Sequence, residues 1–247
     1  MKLRKTKAIV LDTLDYLETD KIVSLLTLDF GFKKMLAKSA KKSIKRFGGG
    51  LEPFTIGSIE FLEKEFSAFP SLKYIDIDKN YSKIKSCLEK IYTASYINEL
   101  VIAFLPINEQ NKNIFKLVEF FLDLLEKDNW NNSHLLVFEI KFLSFCGVIP
   151  RFGLCLRCKE KINKETTIKF SISEGGMVCG KCLKYQGNLI PISARAALLG
   201  KYIKVNKIEK SLSTEIPEEL VSELREKIKL FIEDYLGQSL KTSRFTT

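Results

Sequence analysis

Two Cys-x-x-Cys pairs are the strongest constraint in this sequence. Cys155 and Cys158 form the first pair, Cys179 and Cys182 form the second, and twenty residues separate them. This spacing is typical of a tetrahedral site of four thiolates, in which a tight turn presents each pair to one ion. Four sulfur ligands leave no open coordination position. We therefore predict one structural Zn²⁺ ion, which performs no chemistry of its own.

Of two other interpretations of the cysteines, one stays open. An iron–sulfur cluster also binds four thiolates, whereas a thioredoxin-like redox pair requires a helix start in a βαβ context, which neither pair has. The segment between the pairs contains a β-prone run at residues 167–170 and the turn Gly175-Gly176, which together predict a hairpin. Paired cysteines without an export signal or a long apolar run predict a cytoplasmic protein.

The first part of the chain has the pattern of short strands. Between residues 5 and 78, five short β-prone runs are separated by polar or turn-forming segments. Five strands in so short a stretch predict a small closed barrel, and the OB-fold is a five-stranded barrel of this kind.

From Tyr81 the apolar period becomes helical. The pattern predicts a helix that stops near Pro106, a second around residues 114–125, a third capped by Ser133, a short one from Ser193 to Gly200, and a last one between Pro217 and Gly237. The predicted fold class is α+β: an N-terminal five-stranded OB-fold domain over residues 1–80 and an α-helical domain over residues 81–247. A zinc module built on the four cysteines is inserted in the helical domain at about residues 150–188.

Charge is distributed unevenly along the chain. The formal net charge is +10, with +7 in residues 1–50, −5 in 51–140, +6 in 141–184 and +2 in 185–247. Two basic regions around an acidic middle favour a polyanionic partner. The alternative is a surface that is lysine-rich throughout, which explains the acidic middle poorly. Near the cysteines, some of the cations are expected to balance the thiolates.

The densest basic segment lies between Gly31 and Gly50, which contains seven cations and no acid. In an OB-fold this region borders the ligand groove. Its cations are the predicted phosphate contacts: Lys33, Lys34, Lys38, Lys41, Lys42, Lys45 and Arg46. Arg4, Arg195 and Lys201 are predicted extensions of this surface. Phe32 and Phe47 have the right chemistry to stack on bases, but core packing is the stronger interpretation for both.

An enzymatic function requires a catalytic constellation, and the sequence offers little for one. The single histidine, His134, begins an apolar helix, where a capping or packing role is the simpler interpretation. Asp76 and Asp78 have the pattern of a solvated strand face, and Glu218 and Glu219 that of a solvated helix face. A nucleic-acid-modifying enzyme and a transcription-factor-like zinc protein remain the alternatives to a non-enzymatic DNA-binding protein.

Four stretches together resemble the RecO recombination mediators of bacteria. They are residues 41–47 with Leu51-Glu52-Pro53-Phe54, residues 142–150 directly before the cysteines, Gly175-Gly176 before the second pair, and the ending from Tyr235 to Phe245. The resemblance extends over nearly the whole chain, and its motifs are specific in combination.

The resemblance implies several properties beyond those that the spacing predicts. RecO proteins join an OB-fold to a helical domain whose zinc module is missing in some members. They bind single- and double-stranded DNA, anneal complementary strands, contact the C-terminal tail of single-stranded-DNA-binding protein, and act with RecR to load RecA. No nucleotide or catalytic cofactor is implied, and we expect a monomer in the absence of partners.

Overall fold

The computed structural model describes residues 2–63, 68–128, 130–184 and 188–245. The chain forms two compact units, one over residues 1–129 and one over residues 130–245. In the parts described, the first unit contains strands β1–β5 and helices α1–α4. The second unit contains strands β6–β9 and helices α5–α8.

The five strands of the first unit close into a barrel with the order β1-β2-β3-β5-β4. The strands are β1 (Lys2–Tyr16), β2 (Asp20–Thr27), β3 (Gly31–Ala37), β4 (Ile56–Glu63) and β5 (Ser71–Lys79). Among the barrel strands that the structure describes, only the β3–β5 pairing is parallel, and β1 pairs with both β2 and β4. The inward side chains, among them Val23, Met35 and Phe61, are fully buried. The predicted OB-fold barrel is confirmed.

Four α-helices accompany the barrel in the described part of the first unit: α1 (Ile44–Phe47), α2 (Ser82–Ser86), α3 (Leu88–Phe104) and α4 (Lys112–Glu126). The single helix predicted from Tyr81 is wrong, because Cys87 adopts an extended backbone between α2 and α3. The Asn98 side chain of α3 donates a 2.8 Å hydrogen bond to the Leu11 carbonyl of β1. The change from strands to helices predicted near residue 80 falls at the end of β5, and the extent of each domain stays a prediction.

Helix α5 (Asn132–Phe145) is the central helix of the second unit, as its apolar sequence predicts, and its residues from 134 to 143 are all buried. Its N-cap is Asn131, not the predicted Ser133. The Asn131 side chain accepts a hydrogen bond from the backbone N–H of His134, and the His134 ring accepts one from the backbone N–H of Asn131. This reciprocal pair is a capping box, and the Ser133 hydroxyl supports it by donating to Asn131 Oδ1 at 2.6 Å.

The described residues of the second unit form three further α-helices: α6 (Ala194–Val205), α7 (Ile208–Leu212) and α8 (Glu218–Leu236). Ser193 caps α6 as predicted, with its hydroxyl accepting from the Ala196 N–H at 3.1 Å. The predicted end of this helix at Gly200 is wrong. A Cβ at Gly200 would lie 2.8 Å from the Phe152 ring, so this glycine permits close packing rather than termination. Gly237 ends α8 in the left-handed conformation, as predicted.

A small sheet with the order β6-β8-β7-β9 lies in the second unit. Its strands are β6 (Arg151–Cys155), β7 (Ile168–Ser171), β8 (Gly176–Cys179) and β9 (Leu189–Pro191). Strands β7 and β8 form the predicted antiparallel hairpin. Residues 185–187 of the predicted zinc module lie outside the described residues. No helix in the described parts of the chain is long and apolar enough to cross a membrane.

Candidate nucleic-acid interface and metal centre

The small sheet brings the four cysteines together. Cys155 and Cys179 are the last residues of β6 and β8, which are neighbours in the sheet, and the turn that follows each strand carries Cys158 and Cys182. The four sulfur atoms all lie within 4.8 Å of one another. Three of these side chains are buried and only Cys158 is exposed. Such a cluster has the composition and closeness to hold one metal ion.

The sulfur separations fit a tetrahedral ion. With a metal–sulfur distance of about 2.3 Å, two thiolates on one Zn²⁺ lie about 3.8 Å apart. Cys158 Sγ and Cys179 Sγ lie 3.6 Å apart. The backbone N–H of Cys179 also points at Cys155 Sγ, at 3.4 Å. The described residues therefore provide four sulfur donors within 4.8 Å of one another, with one pair at close to the required spacing, together with a backbone donor that stabilises a thiolate.

The thiols affect one another's ionisation. Burial acts to raise the pKa of Cys155, but backbone N–H groups, beginning with that of Cys179, outweigh it and lower this pKa to about 6. Burial and the neighbouring sulfurs raise the pKa of Cys182 to about 12. The Cys155 thiolate therefore forms easily, whereas burial and the neighbouring sulfurs raise the pKa of both Cys179 and Cys182. A cation is required before all four sulfurs can carry charge together.

Two of the basic residues near the cysteines have acidic partners. Lys181 lies 2.9 Å from a carboxylate oxygen of Glu160, and Arg157 forms an ion pair with Glu174. Arg157 and Lys181 therefore have carboxylate partners of their own, and the expectation that some of the cations here balance the thiolates stays a prediction.

Strand register places an apolar row on the outer face of the barrel. Leu14, Ile22 and Leu36 are cross-strand neighbours on β1, β2 and β3. Their side chains are exposed or half-buried, while the alternate residues on β3 point into the core. Lys34 and Lys38 lie on either side of Leu36 in the same outward set. The face therefore combines apolar contact area with flanking positive charge.

A hairpin and a loop extend this face at one end of the barrel. The β1–β2 turn presents exposed Leu17, which has a positive φ, beside Tyr16, and exposed Ile44 begins α1 directly after the loop that follows β3. The backbone N–H of Lys41 donates to the Thr19 carbonyl at 3.0 Å, which joins the loop to the turn. The sequence interpretation missed these apolar residues, although the alternation along β1 carries a signal for Leu14 and Tyr16.

Four of the predicted phosphate contacts have exposed side chains and form no ion pair with a described carboxylate. They are Lys34, Lys38, Lys42 and Lys45. Lys41 lies 3.1 Å from a carboxylate oxygen of Asp15. The Arg46 guanidinium donates to the Lys38 carbonyl at 2.7 Å and lies over the Phe47 ring. Arg46 therefore holds the loop in shape while remaining partly accessible.

Lys33 differs from its neighbours because it points into the barrel. It is 6% exposed, and its ammonium donates to Asn108 Oδ1 at 2.7 Å and to Glu63 Oε1 at 3.1 Å. We remove Lys33 from the predicted phosphate contacts for this reason. Phe32 and Phe47 are each 3% exposed, in agreement with core packing rather than base stacking.

The three predicted extensions have different surroundings. Arg4 on β1 lies 3.3 Å from a Glu63 carboxylate oxygen and over the Phe30 ring, so its charge is partly compensated. Arg195 and Lys201 are exposed residues of α6 and belong to the second unit.

The residues considered for catalysis have structural surroundings. His134 belongs to the cap of α5, and burial lowers the pKa of its ring. Asp76 and Asp78 on β5 and the glutamates at the start of α8 are exposed, as expected for solvated faces.

Comparison with known proteins places the whole chain in one family. Models described as Recombination protein O N terminal and Recombination protein O C terminal match residues 1–77 and 86–244. DNA repair protein RecO of Syntrophus aciditrophicus is 31% identical over 96% of this chain and 93% of its own length. The protein of the same name from Bacillus subtilis is 30% identical over 98% of this chain and 93% of its own length. The one from Geobacter metallireducens is 33% identical over 84% of this chain and 83% of its own length. The chain belongs to the RecO family of DNA repair and recombination proteins.

Proposed function

We propose that this protein is a non-enzymatic recombination mediator that binds single- and double-stranded DNA on the outer face of its barrel. The observation that carries the proposal is the apolar row Leu14–Ile22–Leu36 between exposed Lys34 and Lys38. Strands 2 and 3 and the first hairpin form the ligand face of OB-folds. Lysines there neutralise phosphates, while the apolar row contacts bases that have left the stack.

The proposed role in strand annealing follows from the same charges. Lysines that neutralise the phosphates of two strands lower the repulsion between the strands, and bases that are not read by hydrogen bonds remain free to pair. Membership of the RecO family supports the further proposal that the protein acts with RecR to load RecA on DNA coated by single-stranded-DNA-binding protein, whose C-terminal tail it binds. We propose that it acts in the cytoplasm, near the nucleoid, and as a monomer without partners.

The proposed cofactor is one structural Zn²⁺ held by Cys155, Cys158, Cys179 and Cys182. The sulfur separations and the backbone donors support this choice. The ion would fix the ends of β6 and β8, and four thiolates would leave it no position for a substrate.

The salt dependence of binding tests the DNA-binding face. Replacing Lys38, Lys42 and Lys45 by Ala removes three exposed charges that form no ion pair with a described carboxylate. The slope of log affinity against log salt on single-stranded DNA should then fall by about 2, at about 0.7 for each phosphate contact. The matched control replaces Lys73, Lys116 and Lys127, which are exposed in the same unit but lie on β5, on α4 and directly after α4. Equal slopes for the two triple variants would contradict the proposed face.

Annealing of complementary strands coated with the cognate single-stranded-DNA-binding protein tests the mediator role. We expect this protein to accelerate annealing, and we expect the acceleration to disappear when the coating protein lacks its C-terminal tail. Acceleration that is independent of the tail would argue against the proposed partner.

A further inference from the structure

A cavity of about 410 Å³ opens in the second unit between β6, the turn after Cys155 and α6. Four cations lie around it: Arg151, Lys159, Lys201 and Lys204. None of the described residues that line it is acidic. Like charges gathered at one opening repel one another, so this arrangement is favourable only when an anion or solvent screens them.

The four cations lack the acidic partners that other cations of this unit have. Arg157, Lys181 and Arg225 each form an ion pair with a glutamate. By contrast, none of the four cations at the cavity forms an ion pair with a described carboxylate, and the Lys159 ammonium donates to the Leu156 carbonyl at 2.7 Å. Their charge therefore remains available to a ligand.

The backbone around the cavity positions two of these lysines. Gly153 on β6 has no side chain, and a Cβ there would lie 2.8 Å from Lys201 Cδ, so the Lys201 stem can lie across the strand. Lys204 is in the last turn of α6, where the Lys141 ammonium donates to the carbonyls of Lys204, at 3.2 Å, and of Asn206. This cap fixes the end of the helix that carries Lys204 and adds a fifth positive charge nearby.

Apolar side chains lie beside the cations. Leu154 is 44% exposed and Val205 is 69% exposed, and both line the cavity. The volume is within the range of small-ligand sites. A ligand that fits such a site has an anionic part for the rim and a flat or apolar part for Leu154 and Val205.

We propose that this cavity is a second nucleic-acid-binding site, which takes a nucleotide of a single strand. The four cations contact successive phosphates, and one base lies against Leu154 and Val205. A nucleic-acid strand carries one negative phosphate at every nucleotide. Its charges are therefore spaced along the ligand, as the cations are spaced over β6, the following turn and α6. The inference rests on the proposed DNA-binding function and adds to it, because a protein with two strand sites can hold both partners of an annealing reaction.

Stoichiometry and salt dependence test the site. Wild-type protein should bind two short oligonucleotides, and the double variant Lys201→Ala/Lys204→Ala should bind one. The summed salt slope should fall by about 1.4, and annealing should slow roughly tenfold. The control Lys164→Ala/Lys169→Ala removes the same charge from exposed positions of this unit that do not line the cavity. A photoreactive uracil in the oligonucleotide should cross-link to peptides that contain residues 151–159 or 201–205.

Three results would overturn the assignment. The first is a double variant that behaves like its control in stoichiometry and slope. The second is a double variant that loses zinc but keeps full DNA binding, because the cations would then serve only the thiolates. The third is an acidic peptide with an apolar end that binds wild-type protein but not the double variant and is not displaced by the oligonucleotide. Failure of the barrel triple variant to weaken binding would instead contradict the proposed function.

Discussion

The ammonium of Lys33 lies 3.1 Å from a carboxylate oxygen of Glu63 inside the β-barrel unit. The same ammonium donates to Asn108 Oδ1 at 2.7 Å, so one buried cation joins β3, the end of β4 and the segment after α3. A buried ammonium requires such partners, because an unpaired charge away from water is strongly destabilising. Lys33 is therefore part of the barrel's internal structure, although it belongs to the most basic segment of the sequence.

Replacing Lys33 by Met should destabilise the protein without lowering its affinity for DNA. We expect the free energy of unfolding to fall by about 1–3 kcal/mol, because Asn108 and Glu63 lose a buried partner. The loss is moderated because Glu63 keeps its contact with Arg4 at 3.3 Å. The salt slope of DNA binding should stay at its wild-type value. Urea denaturation and binding titrations at several salt concentrations measure the two effects.

Lys34 is the matched control for Lys33, because it is the next residue on β3 and points outward. Lys34→Met should leave the free energy of unfolding within about 0.5 kcal/mol of wild type and lower the single-strand salt slope by about 0.7. If the two variants exchanged these effects, the register of β3 described above would be wrong.

Acid should weaken the first unit through Glu119 on α4. Burial acts to raise the pKa of this carboxyl, but Lys7 at 2.8 Å and Lys79 at 3.0 Å outweigh it and hold the pKa below its usual 4.5. Because the folded-state pKa is the lower one, the stabilisation is complete above the unfolded-state value. It is lost as the pH falls through the folded-state value. Unfolding free energy should therefore decrease on acidification below about pH 4.5.

The variant Glu119→Gln should show a flatter pH dependence and a loss of about 1–2 kcal/mol at neutral pH. Urea denaturation at a series of pH values measures both quantities. The control is Glu109→Gln, because Glu109 is exposed and forms no ion pair with a described cation. A wild-type pH dependence in Glu119→Gln would show that other carboxylates carry the acid sensitivity.

Tyr16 offers a test of base contact that is independent of charge. Tyr16→Ala should weaken single-strand binding by about 1–3 kcal/mol, the usual contribution of one stacked base, and leave the salt slope unchanged. Tyr74→Ala is a matched control, because Tyr74 is 40% exposed on β5 and Tyr16 is 42% exposed on β1. Equal effects of the two substitutions would argue against stacking at the hairpin.

The alternation of side chains explains both a success and an error of the sequence interpretation. Each of the five predicted β-prone runs contributes to a barrel strand, because strand propensity and turn residues are local signals. The same alternation places Lys33 with buried Met35 and Ala37, and Lys34 with the outward residues. A count of the cations in a segment does not distinguish the side chains that point inward from those that point outward. For this reason Lys33 was wrongly grouped with the phosphate contacts.

Other features depend on residues that are distant in sequence. Gly200 has the appearance of a helix terminator, but Phe152 on β6 packs against it and the helix continues. The row Leu14–Ile22–Leu36 depends on the register of three strands. The cations at the cavity of the second unit likewise come from separate segments, which are β6, its following turn and α6. The four cysteines are the opposite case, because two short local motifs were sufficient to predict the cluster.

Metal removal should unfold the cysteine cluster and leave the barrel intact. Replacing Cys179 by Ser removes a buried sulfur that lies 3.6 Å from Cys158 Sγ, and it should abolish binding of one Zn²⁺ per chain. The ends of β6 and β8 then lose their common anchor, so a chelator or this substitution should lower the melting temperature of the second unit by several degrees or more. Metal analysis and thermal unfolding measure these changes.

The barrel provides an internal reference for this experiment. Cys179→Ser should keep the part of the DNA affinity that comes from Lys34, Lys38 and their neighbours, because the barrel belongs to the other compact unit. Cys146→Ser controls for the loss of a thiol in the same unit, since Cys146 is half-buried at the end of α5 and is not one of the four clustered cysteines. A Cys179→Ser protein with wild-type stability and no metal would show that the second unit is held by its helices alone. Cys155, Cys158, Cys179 and Cys182 would then have no structural role that requires zinc.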